Sequence, residues 1–141
     1  MSKPGQRWST AALLFAAVLL CAGALGLIAA GYSYKAAMER RSAAIAVTGG
    51  NPEHAQAAII RHGCGGCHII PGISGASGKV GPPLEDVARR VYIGGVLPNT
   101  AANLVDWIVD PHDADPRTAM PATGISPAEA RDVAAYLYSL Q

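Results

Sequence analysis

The chain is short of charge, of aromatics and of cysteine, and each shortage excludes something. Charged residues are 15% of the 141 and nearly cancel, at a net +1, so nothing calls for nucleic acid or a strongly polarised partner. Three cysteines cannot build a disulfide framework, because Cys64 and Cys67 stand together in one short motif and Cys21 is left alone in an apolar run. One Phe and two Trp leave a thin core, and a small domain with a thin core needs a staple. No stretch alternates apolar and polar residues as a half-buried strand does, so the fold class reads as all-α.

Charge is missing altogether from Ser9 to Tyr34, a run of mainly Ala, Leu, Val, Phe and Ile. It exceeds the roughly 20 helical residues that cross a bilayer core of about 30 Å. Residues 1–34 are therefore expected to be a polar tail, with Lys3 and Arg7, followed by a retained single-span membrane anchor. Two other readings compete. A cleaved signal peptide would have a shorter apolar core, although Ala22-Gly23-Ala24 is a passable cleavage site, and a lipoprotein needs a small residue where Leu20 precedes Cys21. Lys3 and Arg7 on one flank and Lys35, Arg40 and Arg41 on the other leave the orientation open. Residues 35–50 read as a stalk or linker, helical until Thr48-Gly49-Gly50, with a spacer as the plain role.

Residues 51–141 form the domain, with six basic residues against nine acidic ones. Four helical patterns run through it. The first opens with Asn51, Pro52 and Glu53, places Ala55, Ala58, Ile59 and His62 on one face, and stops at Gly63. The second repeats through Leu84, Val87, Ala88 and Val91. The third repeats through Ala101, Leu104, Val105 and Ile108 before Asp110-Pro111. The last opens with the capping box Ser126-Pro127-Ala128-Glu129 and buries Ala130, Val133, Ala134 and Leu137. Between them, Gly72, Gly75, Gly78 and Gly81 read as a flexible turn series, and Pro111, Pro116 and Pro121 brace the loop 111–124. Asp106, Asp110, Asp113 and Asp115 read as a solvated acidic face.

Cys64-Gly65-Gly66-Cys67-His68 carries the chemistry. A Cys-x-x-Cys-His run attaches c-type haem: two thiols add across the vinyl groups and the adjacent imidazole becomes the proximal iron ligand. A thiol redox pair would want a βαβ setting, and zinc would want a second ligand pair, whereas His54 and His62 precede the motif and His112 stands alone. A covalent haem would also be the missing staple. For the other face of the iron the methionines are Met1, Met38 in the stalk, and Met120, which Pro121 follows; His112 is the alternative and would give bis-His iron of lower potential.

Residues 51–141 resemble class I c-type cytochromes: the helix before Cys64, the turn Gly81-Pro82-Pro83-Leu84, the helix carrying Trp107, the Met120-Pro121 loop and the final helix come in that family's order. Arg89-Arg90-Val91-Tyr92-Ile93, Leu97-Pro98-Asn99-Thr100, Trp107-Ile108 and Ala135-Tyr136-Leu137-Tyr138 further resemble small membrane-anchored monohaem cytochromes of bacterial respiratory chains, some associated with haem-copper oxidases. The resemblance implies a class I cytochrome c fold around one haem c bound to Cys64 and Cys67, with His68 and Met120 on the iron. It implies that the Pro82 carbonyl accepts a hydrogen bond from His68. Trp107, Tyr92 and Arg90 are candidates to contact propionates, since their N–H and O–H donors suit buried carboxylates, with plain core packing as the other reading of Trp107.

The same resemblance implies a single-pass protein of the bacterial inner membrane with its haem domain in the periplasm, where c-type attachment takes place. It implies a carrier of single electrons from a respiratory donor towards an acceptor such as a haem-copper oxidase, without catalysis or a small-molecule substrate. A fixed haem subunit of a larger oxidase or dehydrogenase is the alternative, followed by a haem enzyme or gas sensor with a labile sixth ligand. One departure stands out. Of the aromatic pair usual where first and last helices cross, only Tyr136 is present; the first helix offers Ala55, Ala58 and Ile59.

Overall fold

The computed structural model describes residues 9–140; the tail with Lys3 and Arg7, and Gln141, lie outside the described residues. The chain divides into two compact units after Ala36. The first holds the apolar part of helix α1, Thr10–Thr48, whose richest window has a mean hydropathy of 2.6 with no part of it buried. Leu13, Phe15, Leu20 and Leu27 all stand open to the surroundings. By length and composition this helix is able to cross a membrane.

The second unit begins inside α1, and the stretch read as a spacer contributes to its core. Ala44 and Thr48 are buried, and Ala44 packs in the domain's main apolar cluster. The Thr48 hydroxyl donates to Ala44 O at 2.7 Å and accepts from Gly50 N–H at 3.2 Å, satisfying polar atoms where the helix ends. Arg41 pairs with Glu53 at 2.6 Å.

Helix α2, Pro52–Arg61, starts as its residues predict: the Asn51 side chain accepts from Glu53 N–H and proline takes the first turn. Its buried Ala55, Ala58 and Ile59 pack on helix α5, Pro127–Ser139, whose Ala130, Val133, Ala134 and Leu137 are buried in turn. Small side chains, in place of an aromatic pair, build this crossing. Asn51 N–H reaches Asp132 Oδ1 at 2.6 Å across it, and the Tyr136 hydroxyl donates to Pro71 O at 2.6 Å. Helix α3, Ala101–Val109, is capped by Thr100 and also packs on α5 through Leu104, Trp107 and Ile108. It stops before Asp110, whose carboxylate caps the single turn α4, Pro111–Ala114. Asp115 in turn accepts from Arg117 N–H at 3.0 Å, so two members of the acidic face tie loop backbone.

The expected second helix does not form. Only Val87–Arg89 make one 3-10 turn, after which strands β1, Tyr92–Ile93, and β2, Leu97–Pro98, pair antiparallel. Asp86 at φ +53° precedes the turn and the positive-φ pair Gly94-Gly95 follows it, so right-handed helical backbone does not run through this stretch. The Asn99 amide takes up Val87 O at 2.7 Å and Arg90 O at 2.8 Å, carbonyls that a helix would have used itself. Val91, expected on the buried stripe, is 74% exposed. The molecule is otherwise helical.

The glycine series is ordered as well. Ile70, Ile73 and Ala76 are buried, while Gly78 N–H donates to Gly65 O at 3.0 Å and Gly81 N–H to Cys67 O at 2.8 Å, lacing the loop onto the cysteine motif.

Candidate functional site

Helix α2 ends at His62, and Gly63, at φ +69°, turns the chain into the 3-10 turn Cys64–Gly66. Both thiols come to lie half-buried in the wall of a cavity of about 340 Å³. Its size falls in the range of ligand sites, about 300 to 1,000 Å³. Burial pushes the Cys64 thiol above its ordinary value, more than the Cys64 backbone hydrogen bond lowers it.

His68 is fixed by the turn that follows. Its Nδ1 lies 2.7 Å from Pro82 O. A carbonyl only accepts, so Nδ1 carries the hydrogen and Nε2 keeps the lone pair that a metal needs. A Cβ on Gly81 would fall 2.2 Å from His68 Cε1, so only glycine lets the backbone pass the ring at this distance.

Met120 is half-buried in the same cavity, in a loop whose turn is held by Met120 N–H donating to Thr118 Oγ1 at 3.3 Å. Trp107 is 9% exposed and joins both the core and the cavity wall. Its ring lies over Gly94, where a Cβ would come within 2.3 Å of it. Tyr92 lines the cavity but remains largely exposed, and the Arg90 guanidinium donates to Pro83 O. The rest of the wall is mostly apolar, including Ile59, Ile70, Leu104 and Leu137.

Cys64, Cys67, His68, Pro82, Arg90, Tyr92, Trp107 and Met120 thus all line one cavity, although they come from five separate stretches of chain. His112 does not; its exposed ring stands beside Asp110. Among the described residues no group of three or more His, Cys, Asp or Glu could hold a metal ion. Two thiols, one oriented imidazole and one thioether around an apolar cavity suit iron carried in an organic macrocycle such as haem c better than a bare ion.

Two residues at the site were not legible as such. His62 has the look of a helix-face residue, yet its ring lines the cavity. Asn99 binds the turn at Val87–Arg90 and accepts from the Tyr138 hydroxyl at 2.7 Å, holding one wall to α5. A lone amide in a loop has no periodicity to reveal it.

Residues 53–141 match the family model described as Cytochrome c. The chain is 35% identical over 79 residues to "Cytochrome c oxidase subunit 2" of Alkalihalophilus pseudofirmus, an alignment that covers 55% of this chain and 22% of that protein. The chain therefore spans less than a quarter of that relative's length. No solved structure matches it.

Proposed function

The chain belongs to the cytochrome c family, and on that premise we propose how its residues hold the cofactor and which partners it serves. The family's function is electron transfer, and its members bind haem c covalently through the polypeptide. When bound, haem c supplies an iron that alternates between ferrous and ferric.

In this reading Cys64 and Cys67 carry the thioether links, and His68 coordinates the iron through Nε2 while Nδ1–H holds Pro82 O. Met120 would supply its sulfur as the second protein ligand, which would favour the reduced state and raise the potential. Trp107 closes the cavity against water, and burial by Ile59, Ile70, Leu104 and Leu137 disfavours the extra charge of the oxidised site. Tyr92 and Arg90 offer donors to the propionates. With His68 and Met120 both bound to the iron, the site would offer no position for a substrate.

Helix α1 anchors the domain to the bacterial inner membrane, with the domain on the periplasmic side. Support comes from the length and apolar composition of α1, and from the export compartment that c-type attachment requires. An anchored carrier meets membrane partners more often than a free one. The electron acceptor is a haem-copper cytochrome c oxidase, supported by the likeness to a curated oxidase subunit 2. That likeness also favours a second reading, a fixed haem subunit that passes electrons only within its complex.

The observation that carries the reading is the His68 to Pro82 hydrogen bond in a cavity that Met120 also lines. The test is the full-length holoprotein in native membranes. A sulfur-to-ferric-iron charge-transfer band and rapid oxidation of the ferrous form by a haem-copper oxidase are expected. No such band, together with ready carbon monoxide binding, would overturn the carrier. Extraction in mild detergent separates the two readings, because a carrier leaves the membrane alone and a fixed subunit leaves it with its complex.

A further inference from the structure

His62 is the last residue capping α2, two positions before the first cysteine, and the electron-transfer reading gives it no task. Its side chain is 12% exposed. Nδ1 lies 3.3 Å from Thr123 O, which only accepts, so Nδ1 carries the hydrogen. Nε2 is buried without a hydrogen-bond partner, 3.6 Å from Glu129 Oε1. Glu129 is itself held in place by Ser126 in the α5 capping box and by Arg61. One imidazole therefore links the end of α2, just before the cysteine motif, to the Met120 loop and the start of α5.

Ile125, two residues past Thr123, anchors the end of the loop in the core; between it and Met120, the His62 bond to Thr123 O is a tie that reaches outside the loop. Pro121 and Ala122 are exposed, and the side-chain ties near Met120 other than His62 are local, from Thr118 and Asp115 within the loop. A buried ring facing a solvent-side loop across a cavity it shares with Met120 is placed to set how long the sulfur stays at the iron.

We propose that His62 is a positioning residue for the axial thioether: its Nδ1–H, fastened to Thr123 O, pins the Met120 loop to the end of α2, two residues before the first haem cysteine. The proposal rests on Met120 being the distal ligand. Loss of the pin raises the fraction of molecules with the loop open. A competing ligand binds only that fraction, so its apparent dissociation constant falls as the fraction rises.

The test is imidazole binding to the ferric full-length holoprotein, read from loss of the sulfur-to-iron charge-transfer band. His62→Phe keeps a buried ring and removes the donor, and it is expected to tighten apparent imidazole binding about tenfold, the scale of one net hydrogen bond. His62→Asn restores a donor near the Nδ1 position and is expected to stay within about threefold of wild type on the same scale. Ser139→Ala removes a hydrogen bond to Tyr136 O, 2.6 Å long and outside the cavity, and serves as the control for general loosening. If His62→Phe does not take up haem, His62→Leu, which also lacks a donor, replaces it with the same expectation. Unchanged imidazole binding in His62→Phe, equal effects of Asn and Phe, or an equal effect of Ser139→Ala would each overturn the pin while leaving Met120 as ligand. Absence of the band in the wild type would remove the Met120 ligation and the pin with it.

Discussion

His68 Nδ1 and the carbonyl oxygen of Pro82 lie 2.7 Å apart, and Gly81 is the residue that permits it. The turn has to cross the imidazole closely enough for the next carbonyl to accept its N–H. Gly81→Ala would set a methyl 2.2 Å from the ring, so either the ring or the turn must move. Overpacking of this kind costs about 1–3 kcal/mol. The variant is expected to lose that much stability to urea and to show a higher potential, because a displaced ring gives up the hydrogen bond that raises its basicity towards ferric iron. An unchanged potential with unchanged stability would contradict this account of the turn.

Met120→Ala removes the proposed sulfur ligand without touching the cysteines or His68. Haem should remain attached, the charge-transfer band should vanish and ferrous protein should take up carbon monoxide. Each tenfold loss of preference for ferrous iron is about 59 mV for one electron, and the expected fall exceeds that step. Redox titration of wild type and variant reads it. His112→Ala is expected to leave both band and potential in place, since His112 is exposed and outside the cavity.

Asn99 joins the 3-10 turn to the terminal helix, accepting from Tyr138 and donating to Val87 O and Arg90 O. Tyr138→Phe deletes one of these bonds and leaves a partly buried amide oxygen unpaired, at a cost of about 1–2 kcal/mol. Asn99→Ala also withdraws a donor from Val87 O and from Arg90 O and is expected to cost more. Urea unfolding followed through haem absorbance ranks the two, and equal costs would mean that the turn does not depend on Asn99. Burial pushes the Tyr138 hydroxyl up, so it remains a donor throughout the neutral range.

These residues also mark what could and could not be read in advance. Asn51-Pro52-Glu53, Ser126-Pro127-Ala128-Glu129 and Cys64 to His68 act within about four residues, where helix caps and haem attachment are decided, and the structure forms the two caps as expected. The turn at Val87 was misread because the apolar spacing is helical, whereas the groups that break the helix are the glycines after Ile93 and a side chain nine or more residues away. His62 joins Thr123 and Glu129 only through tertiary packing. The stalk posed the same difficulty: nothing in Ala-rich residues 42–48 says which alanine will be covered, and packing selects Ala44.

Ala44 supplies the corresponding prediction. It is 3% exposed and sits in the core cluster, one helical turn before Thr48. Ala44→Asp would bury a carboxyl without a designed partner, costing about 3 kcal/mol. Ala43→Asp, on the exposed side, is expected to change stability by less than about 0.5 kcal/mol. Equal unfolding midpoints for the two variants would return residues 37–48 to the status of a spacer.

Glu129 gives the domain an acid-side signature. Its carboxyl is held below the usual range first by the Ser126 hydroxyl, which donates to Oε2 at 2.7 Å, and next by Ser126 N–H at 3.2 Å; His62 and Arg61 add smaller contributions against a small desolvation effect. A carboxyl depressed in the folded state favours folding while it is ionised. That contribution is complete above the unfolded value, near 4.5, and is lost as pH falls through the lower folded value. Glu129→Gln keeps the side-chain length and removes the charge. It is therefore expected to be less stable than wild type from pH 7 down to about pH 5, with the gap closing below that as the wild-type carboxyl takes up its proton. Urea midpoints of both proteins at half-unit steps from pH 7 to about pH 3 provide the measurement, with haem absorbance confirming that the iron site is intact at each step. A gap that stays constant to the lowest pH would mean that the capping box works through shape alone, and that ionised Glu129 does not help to hold the start of α5 under the Met120 loop.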